Sequence, residues 1–312
     1  MGTEENRAAV RELIADIDDA LVDSLLKGAL DLHVHSGPST MARQVDHLQA
    51  AEQAADAGFS AILFKDHHYG VAPFIPVMDR LLEGRGIKLY GGLVLNNSTG
   101  GFDPYVVDAQ LKQGAKLVFM PTAHAANHIR SSHRKKRLAA NVQLRPSPGL
   151  TPVDANGAII DPVKQILDSI AEADAILSSG HLHVWEIWKL FDEARNRGVR
   201  RLIVNHPMYG LHFTHDDIRE LAEAGALIEQ SACLYIDSRF NVFAPEELKA
   251  HIDAAGVAHS SIGSDLGQVD NPTPVEGMRQ AAKLCLALGF SESDVRQMLC
   301  DNPARLIGIN GK

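Results

Sequence analysis

Eight short apolar segments alternate with helical segments along nearly the whole chain, and this alternation constrains the fold more than any other feature. The segments are near-continuous apolar runs, as expected for strands that are covered on both faces. They lie at residues 29–36, 60–65, 86–95, 115–122, 175–181, 201–206, 226–231 and 260–265. Strands that each connect to the next through a helix form a parallel sheet, so this pattern predicts an α/β fold, a (β/α)8 TIM barrel.

An open doubly wound sheet is the alternative arrangement of such strands. Its dinucleotide-binding version requires Gly-x-Gly-x-x-Gly after the first strand, and that pattern is missing here. The barrel is therefore favoured, as a single domain over residues 1–312. The sequence adds an N-terminal helix within residues 1–28, an insertion at 123–160 after strand four, and extra helices at the C-terminus. The insertion ends in a predicted hairpin that turns at Asn156-Gly157.

The first strand contains a His-x-His pair, His33 and His35. Alternate side chains of a strand share a face, so Asp31, His33 and His35 are expected on one face, opposite the leucines of the strand. Two imidazoles placed side by side in this way can bind one metal ion, such as zinc, iron, nickel or copper. Such pairs are common by chance, and the metal-binding interpretation of this one depends on the polar residues at the ends of later strands.

Polar residues stand where several other predicted strands end. Strand two ends in Lys65, followed by Asp66, His67 and His68, and strands five, six and eight end in His181, His206 and Asp265. The C-terminal ends of barrel strands meet at one mouth, where the active sites of such barrels lie. The residues expected to converge there are His33, His35, His181, His206 and Asp265. Imidazole and carboxylate together suit a divalent metal ion, zinc foremost, with manganese or iron as alternatives.

These residues resemble the amidohydrolase superfamily. The matching residues are Asp31-Leu32-His33-Val34-His35, His181, His206, Ile262-Gly263-Ser264-Asp265 and the Asn-Pro-Ala-Arg segment within Asn302–Gly308. The resemblance spans about residues 29–308 and implies a (β/α)8 barrel with one or two divalent metal ions. It implies that His33, His35 and Asp265 bind the first ion, and that His181 and His206 bind the second. With a single ion, His181 would join the first site and His206 would contact water or substrate.

One element of the superfamily is missing. Members with two metals often bridge them with a carboxylated lysine or a glutamate from strand four, which here ends in Phe119-Met120-Pro121-Thr122. Lys65, at the end of strand two, is the comparable residue. It is expected to be carboxylated and to bridge the metals, or to remain an ammonium that binds a substrate anion or polarises a carbonyl. A surface salt bridge with Asp66 is the remaining alternative.

The resemblance implies a metal-dependent hydrolase for an amide, lactam, imide or ester bond, classed with enzymes that cleave carbon-nitrogen bonds other than peptide bonds. Metal ions activate water at neutral pH. Asp265 is placed to accept the proton of that water and to return it to the leaving group. His206 or Lys65 would help to polarise the carbonyl. A metal-dependent decarboxylase is compatible with the same residues.

A second resemblance, to the polymerase and histidinol phosphatase family of metal-dependent phosphoesterases, rests on residues 31–36 and 65–67. That family requires a metal-binding glutamate after strand three and a histidine two residues beyond the final aspartate. This chain has Gly91-Gly92-Leu93-Val94-Leu95 and Asp265-Leu266-Gly267 at those places, so this alternative ranks second. A non-catalytic binding protein is a third alternative, and the intact set of ligands argues against it.

The insertion supplies basic residues on the active-site side of the barrel. Arg130, Arg134 and Arg145 are the candidates for binding a carboxylate or phosphate, which predicts a small anionic substrate. Tyr209 and His212 after strand six, and Arg239 after strand seven, are expected to line the pocket. A net charge of −9 argues against nucleic acid as the partner of the basic patch.

Location and assembly follow from weaker signals. The acidic N-terminal segment is unlike a signal peptide, and no apolar stretch is long enough to predict a membrane span. Three widely spaced cysteines, Cys233, Cys285 and Cys300, indicate reduced thiols in the cytoplasm rather than a cysteine metal site. The extra terminal helices and the habit of the superfamily predict a homo-oligomer.

Overall fold

The computed structural model describes residues 4–132, 142 and 144–309, which form a parallel barrel surrounded by helices. Its eight strands are β1 (Leu30–Val34), β2 (Ala61–Phe64), β3 (Lys88–Val94), β4 (Ala115–Phe119), β5 (Ile176–Ser178), β6 (Arg201–Asn205), β7 (Leu227–Ser231) and β8 (Ser260–Gly263). Each strand pairs with the next one in sequence, and a parallel bridge between Val34 and Leu266 closes the ring. The predicted (β/α)8 TIM barrel is confirmed, and the open doubly wound order is excluded.

Helices cover the outside of the barrel and connect its strands. They are α1 (Glu4–Ile14), α2 (Asp19–Leu26), α3 (His47–Asp56), α4 (Ile75–Leu81), α5 (Pro104–Lys112), α6 (Ala126–Ser132), α7 (Asp161–Glu172), α8 (Val184–Asn196), α9 (His215–Glu223), α10 (Pro245–Ala255), α11 (Pro274–Ala287), α12 (Glu292–Arg296) and α13 (Asn302–Ile307). Among the described residues, no helix has the length and apolar character needed to cross a membrane.

The N-terminal segment is two helices, α1 and α2, where the sequence predicted one helix within residues 1–28. Asp18 begins the second helix, because its carboxylate accepts hydrogen bonds from the backbone N–H groups of Ala20 and Leu21 at 3.1 and 3.3 Å. A residue that caps a helix in this way has extended backbone, which interrupts any helix before it. The apolar spacing predicted helical structure correctly, and the capping aspartate divides it.

The interior of the barrel is filled by apolar side chains from seven strands and from α13. They are Leu30, Leu32, Ala61, Leu63, Val94, Leu117, Phe119, Ile176, Ile203, Leu227, Ala304 and Ile307. Asn302, at the start of α13, donates hydrogen bonds to the carbonyls of Val257 and Ser260, both at 2.7 Å. Ser260 begins β8, so the Asn-Pro-Ala-Arg segment closes the N-terminal end of the barrel, opposite the mouth where the polar strand ends meet.

β1 contains a bulge between Asp31 and Val34, the stretch that includes His33. Between its pairings with Ile62 and Phe64 of β2, β1 runs from Asp31 to Val34 and so has one residue more than its neighbour. An extra residue of this kind reverses which side chains face each side of the sheet. The strict alternation predicted for this strand therefore fails in its second half.

The bulge changes the predicted position of Asp31. The leucines of β1 pack inside the barrel, so Asp31 points away from the interior and does not share a face with the histidines. Its Oδ1 instead accepts backbone N–H groups of His33 and Ser264, both at 3.0 Å. Burial raises the pKa of Asp31 to about 6. Asp31 thus ties the end of β8 to β1 and does not face the mouth.

The insertion between β4 and α7 begins with α6 and ends in a hairpin. Val153 and Ile159 form an antiparallel bridge, and the backbone N–H of Gly157 donates to the carbonyl of Asp154 at 3.0 Å. The predicted turn at Asn156-Gly157 is confirmed. Residues 133–141 and 143 of the insertion lie outside the described part of the chain.

The loop after β1 is held by a buried histidine, His47, at the start of α3. The hydroxyl of Tyr69 donates to the carbonyl of Pro38, so it accepts from Nε2–H of His47 at 2.9 Å. Ser36 then donates its hydroxyl proton to Nδ1 of His47. These partners require a neutral imidazole. Burial lowers the pKa of His47 to about 4.

This histidine is expected to make stability depend on pH. In the unfolded chain a histidine has a pKa of about 6.5, so below that pH the unfolded state binds a proton that the folded state does not. Stability is therefore lost as the pH falls from about 6.5 to about 4, with up to about 3 kcal/mol from His47. In His47→Gln, urea unfolding should show a smaller loss over this window than in the wild type. An identical pH dependence in the two proteins would contradict the assigned neutral state.

Candidate metal centre

Two histidines of the first strand region and an aspartate after β8 converge at the C-terminal mouth of the barrel. Nε2 of His33 lies 3.2 Å from Oδ1 of Asp265, and Nε2 of His35 lies 3.0 Å from the same oxygen. The three ligand atoms lie within 4.8 Å of one another. Both imidazoles are buried, and the side chain of Asp265 is 19% exposed, so the group is open on the carboxylate side. This donor set fits zinc, manganese or iron.

Asp265 stands at a sharp turn where the chain leaves β8. Its φ of +50° is in the left-handed region, which few residues other than glycine adopt, and its N–H donates to the carbonyl of His33 at 2.9 Å. Two residues later, a Cβ on Gly267 would lie 1.5 Å from the carbonyl oxygen of His35. Glycine therefore allows this loop to pack against the end of β1, which places the carboxylate over the two histidines.

Glu229 of β7, which is not among the residues predicted from the sequence, orients His33. Its Oε1 accepts Nδ1–H of His33 at 2.7 Å, and its carboxylate also accepts from Asn205 at 2.7 Å and Ser231 at 2.9 Å. Burial alone would raise the pKa of Glu229, but the neighbouring His33 holds it below its ordinary value. With the proton on Nδ1, the lone pair of Nε2 is free for a cation, so His33 fits a metal ligand.

Replacing this carboxylate tests the orientation of His33. Glu229→Gln is expected to weaken zinc binding by about 10- to 100-fold, because an amide can favour the wrong tautomer of the imidazole. Competition with a chelating dye measures the affinity. The exposed Glu246→Gln serves as the matched control and should bind zinc like the wild type. Equal affinity in Glu229→Gln and the control would remove Glu229 from the centre.

Lys65, after β2, lies inside the same cluster. Its Nζ is 2.9 Å from Nε2 of His33 and 4.6 Å from the centre of the Phe119 ring. It is 2% exposed, so the prediction of a surface salt bridge with Asp66 is wrong. Burial lowers the pKa of Lys65. The lysine is therefore close enough to act on whatever His33 binds.

His181 and His206 extend the cluster beyond His33. The His206 ring lies 6.1 Å from that of His33 and 5.0 Å from that of His181, and Nδ1 of His181 is 2.9 Å from Nδ1 of His128 on α6. His206 has a φ of +34°, and its buried Nδ1 has no hydrogen-bond partner within the described residues. Burial lowers the pKa of His206 to about 4 and that of His181 well below its usual value. Neutral imidazoles of this kind can bind a second cation, or water and substrate.

A further histidine, His67, stands on the other side of His35. The two ring centres are 5.0 Å apart, and Nδ1 of His67 lies 2.8 Å from the hydroxyl of Thr122. Asn96 donates to the same hydroxyl at 3.0 Å and to the carbonyl of His67 at 2.9 Å. The sequence indicated His67 as a strand-end residue, but Asn96 and Thr122 were not predicted as its partners.

The predicted arginines of the substrate site are exposed wherever the structure describes them. Arg130, Arg145 and Arg239 are exposed, and Arg239 forms an ion pair with Asp270 at 3.1 Å. Arg134 lies outside the described residues. Their role in binding substrate stays a prediction.

The two predicted aromatic residues differ in position. Tyr209 is 38% exposed, and its ring centre lies 6.1 Å from that of His206 in an edge-on arrangement, so it can contact a ligand at the mouth. His212 is exposed and stacks on His183, with ring centres 4.8 Å apart. His183 caps α8, so His212 packs at the start of that helix.

Solved structures share this fold at low sequence identity. An amidohydrolase from Pseudomonas aeruginosa has a TM-score of 0.61 at 11% identity, covering 93% of this chain and 98% of its own. The probable dipeptidase PvdM from Pseudomonas aeruginosa has a TM-score of 0.63 at 11% identity, covering 96% and 98%. An amidohydrolase from Burkholderia multivorans has a TM-score of 0.56 at 11% identity, covering 90% and 99%. The fold is thus that of amidohydrolase-type structures.

Sequence comparison gives a closer assignment. Among curated proteins, none matches the chain. A family model described as "Family of unknown function (DUF6282)" matches residues 28–229. This range includes β1 to β6, the start of β7, both histidines of the first pair, Lys65, His181, His206 and Glu229. This match covers more than half of the 312 residues, and the chain therefore belongs to that family.

Proposed function

We propose that the protein is a metal-dependent hydrolase that cleaves an amide, lactam, imide or ester bond of a small anionic molecule. The observation that carries this proposal is the convergence of His33, His35 and Asp265, whose ligand atoms lie within 4.8 Å of one another. The orientation of His33 by Glu229 and the fold shared with amidohydrolase-type structures support it.

His33, His35 and Asp265 would hold a divalent ion, zinc foremost, with manganese or iron as alternatives. His181 and His206 would hold a second ion or contact the substrate. Lys65 would help to hold the ions if it is carboxylated. When bound, such an ion lowers the pKa of water and polarises a carbonyl group.

Asp265 would act as the proton acceptor and donor of the reaction. Burial alone would raise the pKa of this carboxyl, but the neighbouring His33, His35 and Lys65 hold it well below the ordinary value. An ionised carboxylate at neutral pH can take a proton from the attacking water and return it to the leaving nitrogen or oxygen.

If Lys65 instead remains an ammonium, it would stabilise, together with His206, the negative charge that develops on the carbonyl oxygen. An ammonium in a buried site interacts with such an oxygen more strongly than it would in water. Lys65 is buried, and its Nζ lies 2.9 Å from Nε2 of His33, the nitrogen that would hold the ion, so the amine stands beside the reacting end of the site. His206 presents a neutral ring, and its backbone N–H is held by the carbonyl of Glu229 at 2.9 Å.

An activity panel tests the proposed reaction. The zinc-, manganese- and iron-loaded protein is assayed with amides, lactams, imides and esters of small carboxylic acids, and in parallel with phosphate monoesters and with β-keto acids. Hydrolysis of the first group, lost on chelation, is expected. Turnover of phosphate esters alone would favour the phosphoesterase alternative, and release of carbon dioxide alone would favour a decarboxylase.

A further inference from the structure

We propose that Arg43 binds a carboxylate group of the substrate, which makes the substrate of the proposed hydrolase a small carboxylic acid. Arg43 lies in the loop between β1 and α3 and is not among the residues predicted from the sequence. That the bound carboxylate belongs to a substrate rests on the proposed function. The binding site itself is inferred from the surroundings of the Arg43 guanidinium.

The guanidinium of Arg43 is buried with most of its donors unmet. Its side chain is 3% exposed. Within the part of the chain that the structure describes, Nε and Nη1 have no hydrogen-bond partner. Nη2 lies 3.3 Å from Nδ1 of His35 and 3.7 Å from Oδ2 of Asp66. A buried cation with unpaired N–H groups is costly, so this arrangement favours an acceptor that comes from outside the chain.

Neither protein neighbour satisfies the N–H groups of Arg43 in the working site. When Nε2 of His35 binds a cation, the proton of the ring is on Nδ1, which then cannot accept from Arg43. Asp66 forms an ion pair with Nη2 at 3.7 Å, which balances the charge of Arg43 but is too long for a hydrogen bond, and Nε and Nη1 remain unmet within the described residues. Oδ1 of Asp66 accepts the backbone N–H of His68 at 2.8 Å, which holds this carboxylate in place.

The position of Arg43 is fixed beside the candidate metal centre. Its backbone forms an antiparallel bridge with Gln268, and the N–H of Gln44 donates to the carbonyl of Gly267 at 2.8 Å. These contacts join the loop after β1 to the loop that contains Asp265. The guanidinium touches one nitrogen of His35, and the other nitrogen of that ring faces Asp265. A carboxylate bound there lies one imidazole ring away from the reacting end of the site.

A carboxylate is the ligand whose shape suits this arginine. Its two oxygens accept two parallel N–H groups of a guanidinium, and such charge-assisted pairs are stronger than neutral hydrogen bonds. The arginines Arg130 and Arg145 of the insertion are exposed, so water can satisfy their donors. An anion would therefore stabilise the buried Arg43 more than these exposed arginines.

Ligand binding without turnover tests the inference. The metal-loaded wild type is titrated with malonate, succinate and glutarate, with their diamides, and with inorganic phosphate, by calorimetry and by the shift in melting temperature. At least one dicarboxylate should bind, more tightly than its diamide and than phosphate. Arg43→Gln should weaken that binding by at least about thirtyfold. Arg43→Lys, which keeps the charge but not the paired donors, should give an intermediate loss.

Controls separate binding from folding and from catalysis. The exposed Arg85→Gln, which removes an ion pair with Asp56, should bind the dicarboxylate like the wild type. If Arg43→Gln does not fold, the comparison rests on Arg43→Lys. Wild-type affinity in the folded Arg43 variants, binding of phosphate as tight as that of the dicarboxylates, or no binding to the wild type would overturn the inference. Because no reaction is measured, a failure of the hydrolase proposal leaves these results unchanged.

Discussion

His33→Ala is expected to lose its bound metal and to lower kcat/KM for the hydrolysis by at least about 10³-fold, because several kcal/mol of transition-state stabilisation depend on the ion. Nε2 of this ring lies within hydrogen-bond distance of Lys65 and close to Asp265, so its removal opens the centre of the cluster. Elemental analysis after dialysis gives the metal content, and initial rates with the best substrate of the panel give the activity.

The matched control for this variant is His215→Ala. His215 is exposed at the start of α9 and is not among the proposed ligands, so the variant should keep both metal and activity. Circular dichroism establishes that His33→Ala is folded. A folded His33→Ala protein with the metal content and rate of the wild type would show that the reaction does not depend on this ligand.

Asp265→Asn is expected to lower kcat by about 10²- to 10⁴-fold, because the amide cannot accept the proton of the attacking water. KM should change little, since the substrate contacts proposed for Arg43 remain. Partial metal binding through the two histidines is expected, so activity is measured at saturating zinc. The decrease in kcat should therefore persist after metal is restored, whereas a decrease caused only by weaker metal binding would be reversed.

The exposed Asp161→Asn is the control for Asp265→Asn, because it changes the same functional group on the outer surface. It should leave kcat and metal content unchanged. If Asp265→Asn at saturating zinc keeps the wild-type kcat, the proton-transfer role assigned to Asp265 is wrong, and a different group must take the proton.

The sequence predicted the barrel because eight apolar strands alternate with helices, and this periodicity depends only on neighbours in the chain. The bulge in β1 escaped prediction because it is defined by pairing with β2, which the local pattern of one strand does not contain. The division of the N-terminal helix had a local signal in Asp18. The cytoplasmic location and the homo-oligomer stay predictions.

The candidate site was predictable where it lies at strand ends. His33, His35 and Asp265 follow from the rule that barrel strand ends meet. Glu229 had a weaker signal, since it is a charged residue within an apolar strand. Gly263 leaves space for its carboxylate, because a Cβ at that position would lie only 2.9 Å from Glu229. Arg43 had no signal in the sequence, because it is buried only where the loop after β1 packs against the loop after β8.

A crystal structure of the metal-loaded protein, with anomalous diffraction measured at the absorption edge of the bound metal, tests the central claim most directly. The expected result is an anomalous peak next to Nε2 of His33, Nε2 of His35 and the carboxylate of Asp265. Its distances to these atoms should be roughly 2.0–2.2 Å, the bond lengths of zinc to nitrogen and oxygen ligands. The same map would show whether Lys65 is carboxylated and whether His181 and His206 hold a second ion. A fully loaded protein whose metal lies elsewhere, with these three side chains still in contact with one another, would contradict the assignment of the metal centre.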